Sequence, residues 1–378
     1  MPPRRSSRTS TKSVSLSDKI RRWRIHRSGL AGSGFQTPDE VAIALLGVQA
    51  QDNVASLISI WNRLEGGALA CDTGAGSTLT ESDIVSAGRN LVKIWGQRGT
   101  LHAYHIDDWP LIVGCVSDVL HAHCLDRVSD PDLVRDRVRH VADQLLANSA
   151  EFAYTDRHDP TTSRSIRMLL TLGGYGAWPL GRGRVNRITN MRPRQAWTST
   201  PWQPHAVPDA VRRAALRYFG AYGPATEPDF RYMMGLRSAV SRNAVMELLN
   251  CGDLQTVDDD MLLPTSLIQE WDKYQGTDPI PLRMLYVFDP VVLAHQRKTW
   301  LIPDEFRPRV WTKNGIIHGV VLVDGRIVGK WAMTKQGRDA VRFGIDMFQD
   351  SVDETAVQAQ LAGIAQCLQI TSFEIEWE

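Results

Sequence analysis

Two glutamines, Gln49 and Gln51, stand two residues apart after the apolar run Val41 to Leu46. A glutamine amide is no base at neutral pH, but its oxygen can orient a water molecule or face a developing positive charge. Side chains at i and i+2 share one side only where the backbone is extended, since on a helix they point about 200° apart. If both amides serve one site, residues 48–52 must leave the helical conformation. From the residues alone, the simpler interpretation is that Gln49 and Gln51 are two ordinary polar side chains at a helix end.

The residues around this pair predict two helices with a turn between them. Thr37-Pro38-Asp39-Glu40 has the pattern of a helix start, with a capping threonine, a first-turn proline and a glutamate three residues after the cap. Gly47 weakens the first helix, and Asp52 or Asn53 can cap a second. The second helix carries apolar residues at helical spacing, namely Val54, Leu57, Ile58, Trp61 and Leu64.

A third short helix is expected over residues 81–89, and a two-stranded hairpin over 91–104 that is broken at a glycine. Three helices and a hairpin predict a winged-helix unit. Residues 107–127 and 131–148 are predicted to form two longer helices that link this unit to the middle of the chain.

An internal repeat indicates further units of the same kind. Residues 169–176 and 216–223 both end an apolar helix with Gly-x-Tyr-Gly. After the second copy, helices are expected from Thr226 to Met234 and over 238–250. Two wing strands are then predicted, at 254–257 and 261–263.

The C-terminal quarter changes to a strand-rich pattern with a tight turn at Asp324-Gly325. Strands are predicted at 285–293, 316–323, 327–333, 340–348 and 372–377, with a helix at 355–370 before the last one. The predicted fold class is α+β, with three tandem winged helices and a small C-terminal subdomain. The expected divisions are a disordered tail 1–17, winged helix 1 with a linking helix 18–128, winged helix 2 with an Arg-rich wing 129–205, winged helix 3 206–283 and a β-rich subdomain 284–378.

The net charge of +1 conceals a strong polarity along the chain. Residues 1–30 hold nine Lys/Arg against one acid, whereas residues 343–378 hold seven acids and no Lys or Arg. This asymmetry favours a basic arm that can meet a polyanion and an acidic end that faces elsewhere. The tail is either a solubilising end or a phosphate-contacting arm.

Composition excludes several classes of protein. No apolar run approaches the roughly 18 residues of a membrane-spanning helix, and the Arg-rich start lacks the apolar segment of a signal peptide. We therefore expect a cytoplasmic, nucleoid-associated protein. Five cysteines without a C-x-x-C pair indicate reduced thiols. No nucleophile elbow, phosphate-binding loop or dinucleotide fingerprint is found, so no cofactor is expected.

Between Pro160 and Pro208 the sequence has no Asp or Glu and no Lys. Arginine suits bidentate phosphate contacts, so an exposed wing that binds nucleic acid is predicted here, with a merely solvated basic loop as the alternative. The arginines of this stretch are Arg164, Arg167, Arg182, Arg184, Arg187, Arg192 and Arg194.

A cluster of histidines raises the alternative of a metal site. No H-E-x-x-H motif or paired cysteine motif supports it, so no metal is expected and packing is the simpler role. The residues concerned are His102, His105, His121, His123 and Cys124.

Five short motifs spanning about residues 40 to 335 together resemble the AlkZ/YcaQ family of winged-helix DNA glycosylases. They are Leu46-Gly47-Val48-Gln49-Ala50-Gln51, Arg98-Gly99-Thr100-Leu101-His102, Ala221-Tyr222-Gly223-Pro224-Ala225-Thr226 with Asp229-Phe230, Val287-Phe288-Asp289-Pro290, and Val323-Asp324-Gly325-Arg326-Ile327-Val328-Gly329.

The resemblance implies three tandem winged helices that form a concave, DNA-embracing body. It also implies a catalytic pair, Gln-x-Gln in the AlkZ branch and Gln-x-Asp in the YcaQ branch, so Gln49-Ala50-Gln51 places this chain with the AlkZ-like branch. Members of that branch remove bulky N7-alkylguanines and unhook interstrand crosslinks. The departures are Gln97 before the Arg-Gly-Thr-Leu-His run and a long basic N-terminus.

The implied reaction suits two neutral amides. N7-alkylguanine is already cationic and leaves without a general acid, so Gln49 and Gln51 are expected to position water near C1′ of the damaged nucleotide. The resemblance also implies a DNA-probing hairpin, for which Lys313-Asn314 is a plausible tip and Asp324-Gly325 the competitor. The expected DNA contacts are Arg98, Arg182, Arg184, Arg187, Arg192, Arg194, Lys313 and Asn314.

The predicted function is thus a monofunctional, monomeric DNA glycosylase acting on alkylated double-stranded DNA. The alternative is a non-enzymatic winged-helix protein such as a transcription regulator, which would be a dimer that reads half-sites in undamaged DNA. A metal hydrolase would rest only on the histidine cluster. Whether the base is flipped stays open, because a bulky or crosslinked guanine is costly to extrude.

Overall fold

A computed structural model describes residues 14–74, 76–147, 160–181, 191–312, 315–337, 339–348 and 352–378. Helices and sheets are mixed along the chain, which confirms the α+β class. Within the described residues the helices are α1 Leu16–Arg27, α2 Pro38–Ala44, α3 Asn53–Trp61, α4 Ala68–Asp72, α5 Glu81–Ala87, α6 Trp109–Leu125, α7 Pro131–Ala147, α8 Pro160–Leu172, α9 Val207–Tyr222, α10 Glu227–Met234, α11 Ser238–Asn250, α12 Ile268–Lys273, α13 Pro290–Leu293, α14 Arg307–Val310 and α15 Glu354–Cys367.

The strands of the same residues form three sheets. They are β1 Val48–Gln49, β2 Leu91–Trp95, β3 Leu101–His105, β4 Gly176–Pro179, β5 Arg192–Pro193, β6 Leu254–Asp258, β7 Met261–Pro264, β8 Arg283–Leu285, β9 Gly319–Val323, β10 Arg326–Lys335, β11 Ala340–Met347 and β12 Ser372–Trp377. The spatial orders are β1-β3-β2-β4-β5, β12-β11-β10-β9-β8 and β6-β7.

The first sheet is built around the predicted hairpin. β2 and β3 pair antiparallel from Leu91–His105 to Trp95–Leu101, and the chain turns between them through Gly96 and Gly99. All five residues of β2 are buried, because β4 pairs with its outer edge and β1 pairs with the outer edge of β3. The hairpin is therefore the middle of a larger sheet rather than a projecting wing.

Capping sequences set the helices that flank this sheet. Thr37 and Glu40 form the predicted capping box at α2, and Asp52 caps α3 by accepting a hydrogen bond from the Ala55 amide. Capping boxes also start α5, through Thr80 and Asp83, and α10, through Thr226 and Asp229. These helix starts confirm the sequence predictions, because a side-chain cap satisfies amides that no helical carbonyl can reach.

The C-terminal sheet differs from prediction at one segment. Residues 285–293 were expected to form one strand, but β8 ends at Leu285 and α13 begins at Pro290, so the prediction is wrong beyond Leu285. Asp289 caps α13 through the Val291 amide, and Phe288 adopts a left-handed φ of 61° that ends the extended run. An Asp-Pro helix start overrode the β-propensity of the valines around it.

A buried ion pair joins this C-terminal region to α3. Arg63, just after α3, binds Asp289 through two 2.8 Å hydrogen bonds, and both side chains are 0% exposed. Arg63 also donates to the Ser28 and Ser59 carbonyls. Helix α3, the end of α1 and the start of α13 therefore share one polar connection inside the core.

The N-terminal helix α1 closes onto the opposite end of the chain. Trp23 is fully buried against Trp271 at a 5.4 Å ring separation. Arg21 donates through Nε to the Asp324 carbonyl at 3.2 Å, and Arg22 pairs with the Asp324 carboxylate. The β9–β10 hairpin turn is thus attached to α1.

Candidate active site

The segment that carries the two glutamines leaves the helix as expected. After α2, Leu46 and Gly47 take positive φ values of 55° and 95°, and Val48 and Gln49 then pair with β3. The Ala50 amide continues the ladder by donating to the Leu101 carbonyl at 2.8 Å. The backbone is therefore extended from Val48 through Ala50, which is the condition under which side chains at i and i+2 share one side.

Three buried contacts hold this break in the helix. Gln97 donates its amide N–H to the Leu46 carbonyl at 2.7 Å, and the Tyr222 hydroxyl donates to the Leu45 carbonyl at 2.9 Å. The Tyr104 ring lies over Gly47 so closely that a Cβ there would come within 2.3 Å of a ring carbon. Gly47 is required twice over, by its left-handed φ and by the ring above it.

The two glutamines differ in exposure. Gln49 is 7% exposed, Ala50 between them is 0% exposed, and Gln51 is exposed to solvent. The pair therefore runs from the interior of the protein at Gln49 to the solvent at Gln51.

His102 stands directly opposite Gln49 in the sheet register. Its ring is 3% exposed and stacks on Tyr104 at 5.6 Å. Burial lowers the pKa of His102 to about 3, against the opposing effect of a hydrogen bond to the Thr100 carbonyl, and the nearby Arg98 lowers it further. The imidazole beside Gln49 is thus a neutral group at physiological pH.

Two cations lie beyond His102 around one aromatic ring. Arg98 sits in the β2–β3 turn with φ 54°, and its guanidinium lies 5.6 Å from the Tyr232 ring centre. Burial lowers the pKa of Arg98. The Lys298 ammonium lies 5.2 Å from the same ring, and burial lowers its pKa to about 7, with Arg98 contributing. Lys298 is only 3% exposed and donates to the Val292 and His295 carbonyls, so the positive charge that this side of the site presents is that of the partly exposed Arg98.

The predicted Arg-rich wing is only partly described. Arg182, Arg184 and Arg187 lie outside the described residues. Arg192 is in β5 and is partly buried. Arg194 is only 8% exposed and donates to the Thr200 carbonyl, so the expectation of an exposed position is wrong for this residue. Its guanidinium folds back toward Trp202, which packs against the core.

The two candidate hairpins have different surroundings. Lys313 and Asn314 lie outside the described residues, and the flanking Trp311 and Ile317 form an isolated antiparallel bridge. The competing Asp324-Gly325 turn is engaged by Arg21 and Arg22 of α1. A turn already bound to another element of the protein has little freedom to enter DNA.

The histidine cluster is dispersed by the fold. His102 is buried in β3, His105 lies 3.9 Å from Asp39, and Cys124 contacts the Met168 sulfur at 3.1 Å. In the described part of the chain, no three His, Cys, Asp or Glu side chains converge on a point that could hold a metal ion. All five cysteines are free thiols.

Several residues that shape the site are not evident from the sequence. Gln97 stands out there only as a departure from the family pattern, yet it secures the carbonyl at the helix break. Tyr104, Tyr222 and Lys298 carry no local signal, because their partners are distant in sequence. The sheet register places the Tyr104 ring against Gly47. Both residues are visible in the sequence, but their contact becomes evident only once the register is known.

No helix among the described residues is both long and apolar enough to cross a lipid bilayer. The model of the DNA glycosylase AlkZ-like family matches residues 43–369, so the chain belongs to the AlkZ-like DNA glycosylase family. Membership makes it a DNA-repair enzyme that hydrolyses N-glycosyl bonds, rather than a transcription regulator.

A curated relative and a solved structure, both from Streptomyces sahachiroi, agree with this family. The chain is 24% identical over 336 residues to an interstrand DNA cross-link repair glycosylase of Streptomyces sahachiroi, covering 83% of this chain and 87% of that protein. The solved structure of Streptomyces sahachiroi DNA glycosylase AlkZ superimposes with a TM-score of 0.72 at 19% identity, over 97% of this chain and 100% of that one. The likeness to that structure establishes the fold.

Proposed function

We propose that this protein releases N7-alkylated guanine from double-stranded DNA, with the attacking water positioned by Gln49 and Gln51. The observation that carries the proposal is the extended backbone from Val48 through Ala50, which lets both amides serve one water. We also propose that the protein unhooks interstrand crosslinks, since a relative is named as an interstrand DNA cross-link repair glycosylase.

The chemistry follows from the charges of the reactants. The alkylated base departs as a neutral molecule, and positive charge develops on the sugar, so the enzyme needs neither a general acid nor a strong base. The Gln49 and Gln51 oxygens supply partial negative charge at the sugar and a fixed acceptor for the water. The buried His102 stays neutral and adds no cation beside the developing oxocarbenium.

Positive charge borders the site at Arg98, whose guanidinium lies 5.6 Å from the Tyr232 ring centre. Lys298, near the same ring, is 3% exposed and donates to two backbone carbonyls, so it is not available to a phosphate. The Arg98 charge attracts the DNA backbone, while the neutral glutamine and histidine side chains tolerate a cationic substrate.

The finer architecture is part of the same proposal. We infer three tandem winged-helix units, with β6–β7 as the wing after α9 to α11, acting as a monofunctional monomer close to the nucleoid. The divisions 18–128, 129–205, 206–283 and 284–378 are retained as proposed units, although β4 and β5 extend the sheet of the first into the second.

The test is base release from a duplex carrying one defined N7-alkylguanine, measured in single turnover at saturating enzyme. The wild-type protein should release free base, and Gln49→Ala/Gln51→Ala should do so at least about a hundredfold more slowly, since losing a transition-state contact costs about 10²–10³ in rate. Gln366→Ala, an exposed glutamine on α15, is the matched control and should match wild type.

A wild-type protein without base release would end the proposal, and so would a double variant as active as the control. A crosslinked duplex in a parallel assay separates the two substrate ranges. Release from monoadducts without unhooking would retain the mechanism and remove the crosslink activity.

A further inference from the structure

We propose that a groove between α6, α8 and the β2–β3 turn binds the phosphodiester backbone of the DNA strand that passes the two glutamines. The location relative to the damaged nucleotide rests on the proposed function, whereas the phosphate contacts stand on the groove itself. Of the groove's residues, Arg98 is an expected DNA contact and Arg164 belongs to the Arg-rich stretch, whereas His123 and Arg127 have no DNA-binding role in the sequence-based predictions.

The groove consists of two adjoining cavities. One, of about 460 Å³, lies between the end of α6 and the start of α8, and the other, of about 310 Å³, runs under the β2–β3 turn. His123, Arg127 and Arg164 line both cavities, so the two are one continuous depression. Arg98 and Gly99 form its far end at the turn.

The charged side chains among the described residues that line the groove are all arginines. No Asp or Glu is among the described residues that line either cavity. Within the described part of the chain, the exposed Arg127 guanidinium makes no hydrogen bond or ion pair. Arg164 donates through Nη2 to the Gly99 carbonyl at 3.0 Å, which fixes its guanidinium beside the turn with other N–H groups still available. Such forks of N–H donors match phosphate oxygens.

The positive charges of the groove also affect the pKa of His123. Burial, together with Arg127 and Arg164, lowers the pKa of His123, whereas Asp126 raises it. The ring is therefore neutral near pH 7, and its N–H can donate to an anion without adding charge. Three arginines and a neutral imidazole around one depression form a donor set suited to successive phosphates.

The floor of the groove suits the sugars between phosphates. Val116, Val119 and Leu120 of α6 line it together with Met234 at the end of α10. Deoxyribose presents carbon and hydrogen to such a surface, while its flanking phosphates reach the arginines at the rim. An apolar floor with a cationic rim fits a nucleic-acid strand better than a free, strongly hydrated inorganic anion.

The sheet register brings this groove to the glutamines. Gln49 is opposite His102 and the Ala50 amide binds the Leu101 carbonyl, so Gln51 emerges beside Thr100. Thr100 directly follows Gly99, which lines the groove. A strand held along the groove therefore leaves it next to Gln51, and holding its phosphates limits how far the damaged nucleotide can shift.

The experiment measures the salt dependence of DNA binding for the full-length protein. The probe is a duplex carrying a stable abasic-site analogue, titrated over a series of salt concentrations. Each lost phosphate contact should reduce the slope of log K against log salt by about 0.9, and weaken binding about eightfold at 0.1 M salt. Arg127→Gln should lose one such contact and Arg127→Gln/Arg164→Gln two.

Arg342→Gln is the matched control, because it removes the same charge beside Glu374 and Glu376 of β12, on an acidic surface. It should leave the slope unchanged. Single-turnover base release by Arg342→Gln at saturating enzyme should likewise stay within about twofold of wild type.

A slope for Arg127→Gln equal to that of wild type and of Arg342→Gln would overturn the proposal. The proposal would also be overturned if inorganic phosphate stabilised the wild-type protein against unfolding but not Arg127→Gln, while the DNA-binding slope of the variant stayed unchanged. The groove would then bind a free anion rather than DNA. If the variants show reduced salt slopes but the wild-type protein releases no base, the groove proposal is supported and the proposed glycosylase substrate is wrong.

Discussion

Removal of the Asp289 carboxylate is expected to be among the most damaging single changes in the core. Asp289→Ala deletes both 2.8 Å bonds from Arg63, the bond from the Ser59 hydroxyl at 3.2 Å and the cap on the Val291 amide at 3.0 Å. Arg63 is 0% exposed and has no route to solvent, so its charge is left buried with only carbonyl partners.

The magnitude follows from that uncompensated charge. Breaking a buried pair by removing one partner typically costs about 3–5 kcal/mol, several times the value of an exposed pair. We therefore expect Asp289→Ala to lower the free energy of unfolding by about 4 kcal/mol. Because Arg63 follows α3, which begins two residues after Gln51, base release should fall as well.

Urea unfolding followed by tryptophan fluorescence measures the loss. Arg63→Met and Arg63→Met/Asp289→Ala complete a double-mutant cycle, and the double variant should recover about 2 kcal/mol or more relative to the sum of the single losses. Asp272→Ala, on the exposed side of α12, is the control and should stay within about 0.5 kcal/mol. A loss below about 1 kcal/mol, or strictly additive losses, would refute the argument.

Two further outcomes are expected at the site. Gly47→Ala should lower the free energy of unfolding by about 1–3 kcal/mol and slow base release at least about tenfold, because the new Cβ would lie 2.3 Å from a Tyr104 ring carbon. Gly252→Ala is the control, because Gly252 has φ 80° and nothing within 4 Å of a Cβ, so its loss measures the cost of the positive φ alone. Equal effects of the two substitutions would contradict the clash with Tyr104. The pKa of His102, lowered to about 3 by burial, should keep its imidazole neutral in NMR spectra down to about pH 5. An unfolded histidine titrates near pH 6.5, so the stability linked to this neutral ring is complete above that pH and is lost as the pH falls toward 3; a folded-state midpoint above about pH 6 would contradict it.

Local signals predicted the elements that local chemistry controls. The capping sequences at Thr37 and Thr226 start helices where expected, and residues 238–250 form a helix with the predicted bounds. The break before Gln49 was also foreseeable, since Gly47 interrupts an apolar helix. In each case the deciding contact lies within a few residues of the signal.

Predictions failed where distant residues decide. Arg194 was expected at the surface, but the chain after it folds back so that Thr200 and Trp202 enclose its guanidinium. Gln97 binds a carbonyl 51 positions away, which no local pattern reveals. The groove at Arg127 and Arg164 exists only because α6 and α8 come together, so composition could indicate its charge but not its place.

The attachment of α1 to the β9–β10 turn has a consequence for biosynthesis. The partners of this helix are late in the chain: Arg24 binds a carbonyl 200 residues away and Arg21 one 303 residues away. On the ribosome, α1 therefore emerges long before its binding partners and must wait with Trp23 uncovered. A nascent chain arrested before Trp271, against which Trp23 packs, would expose that tryptophan to chaperones and proteases.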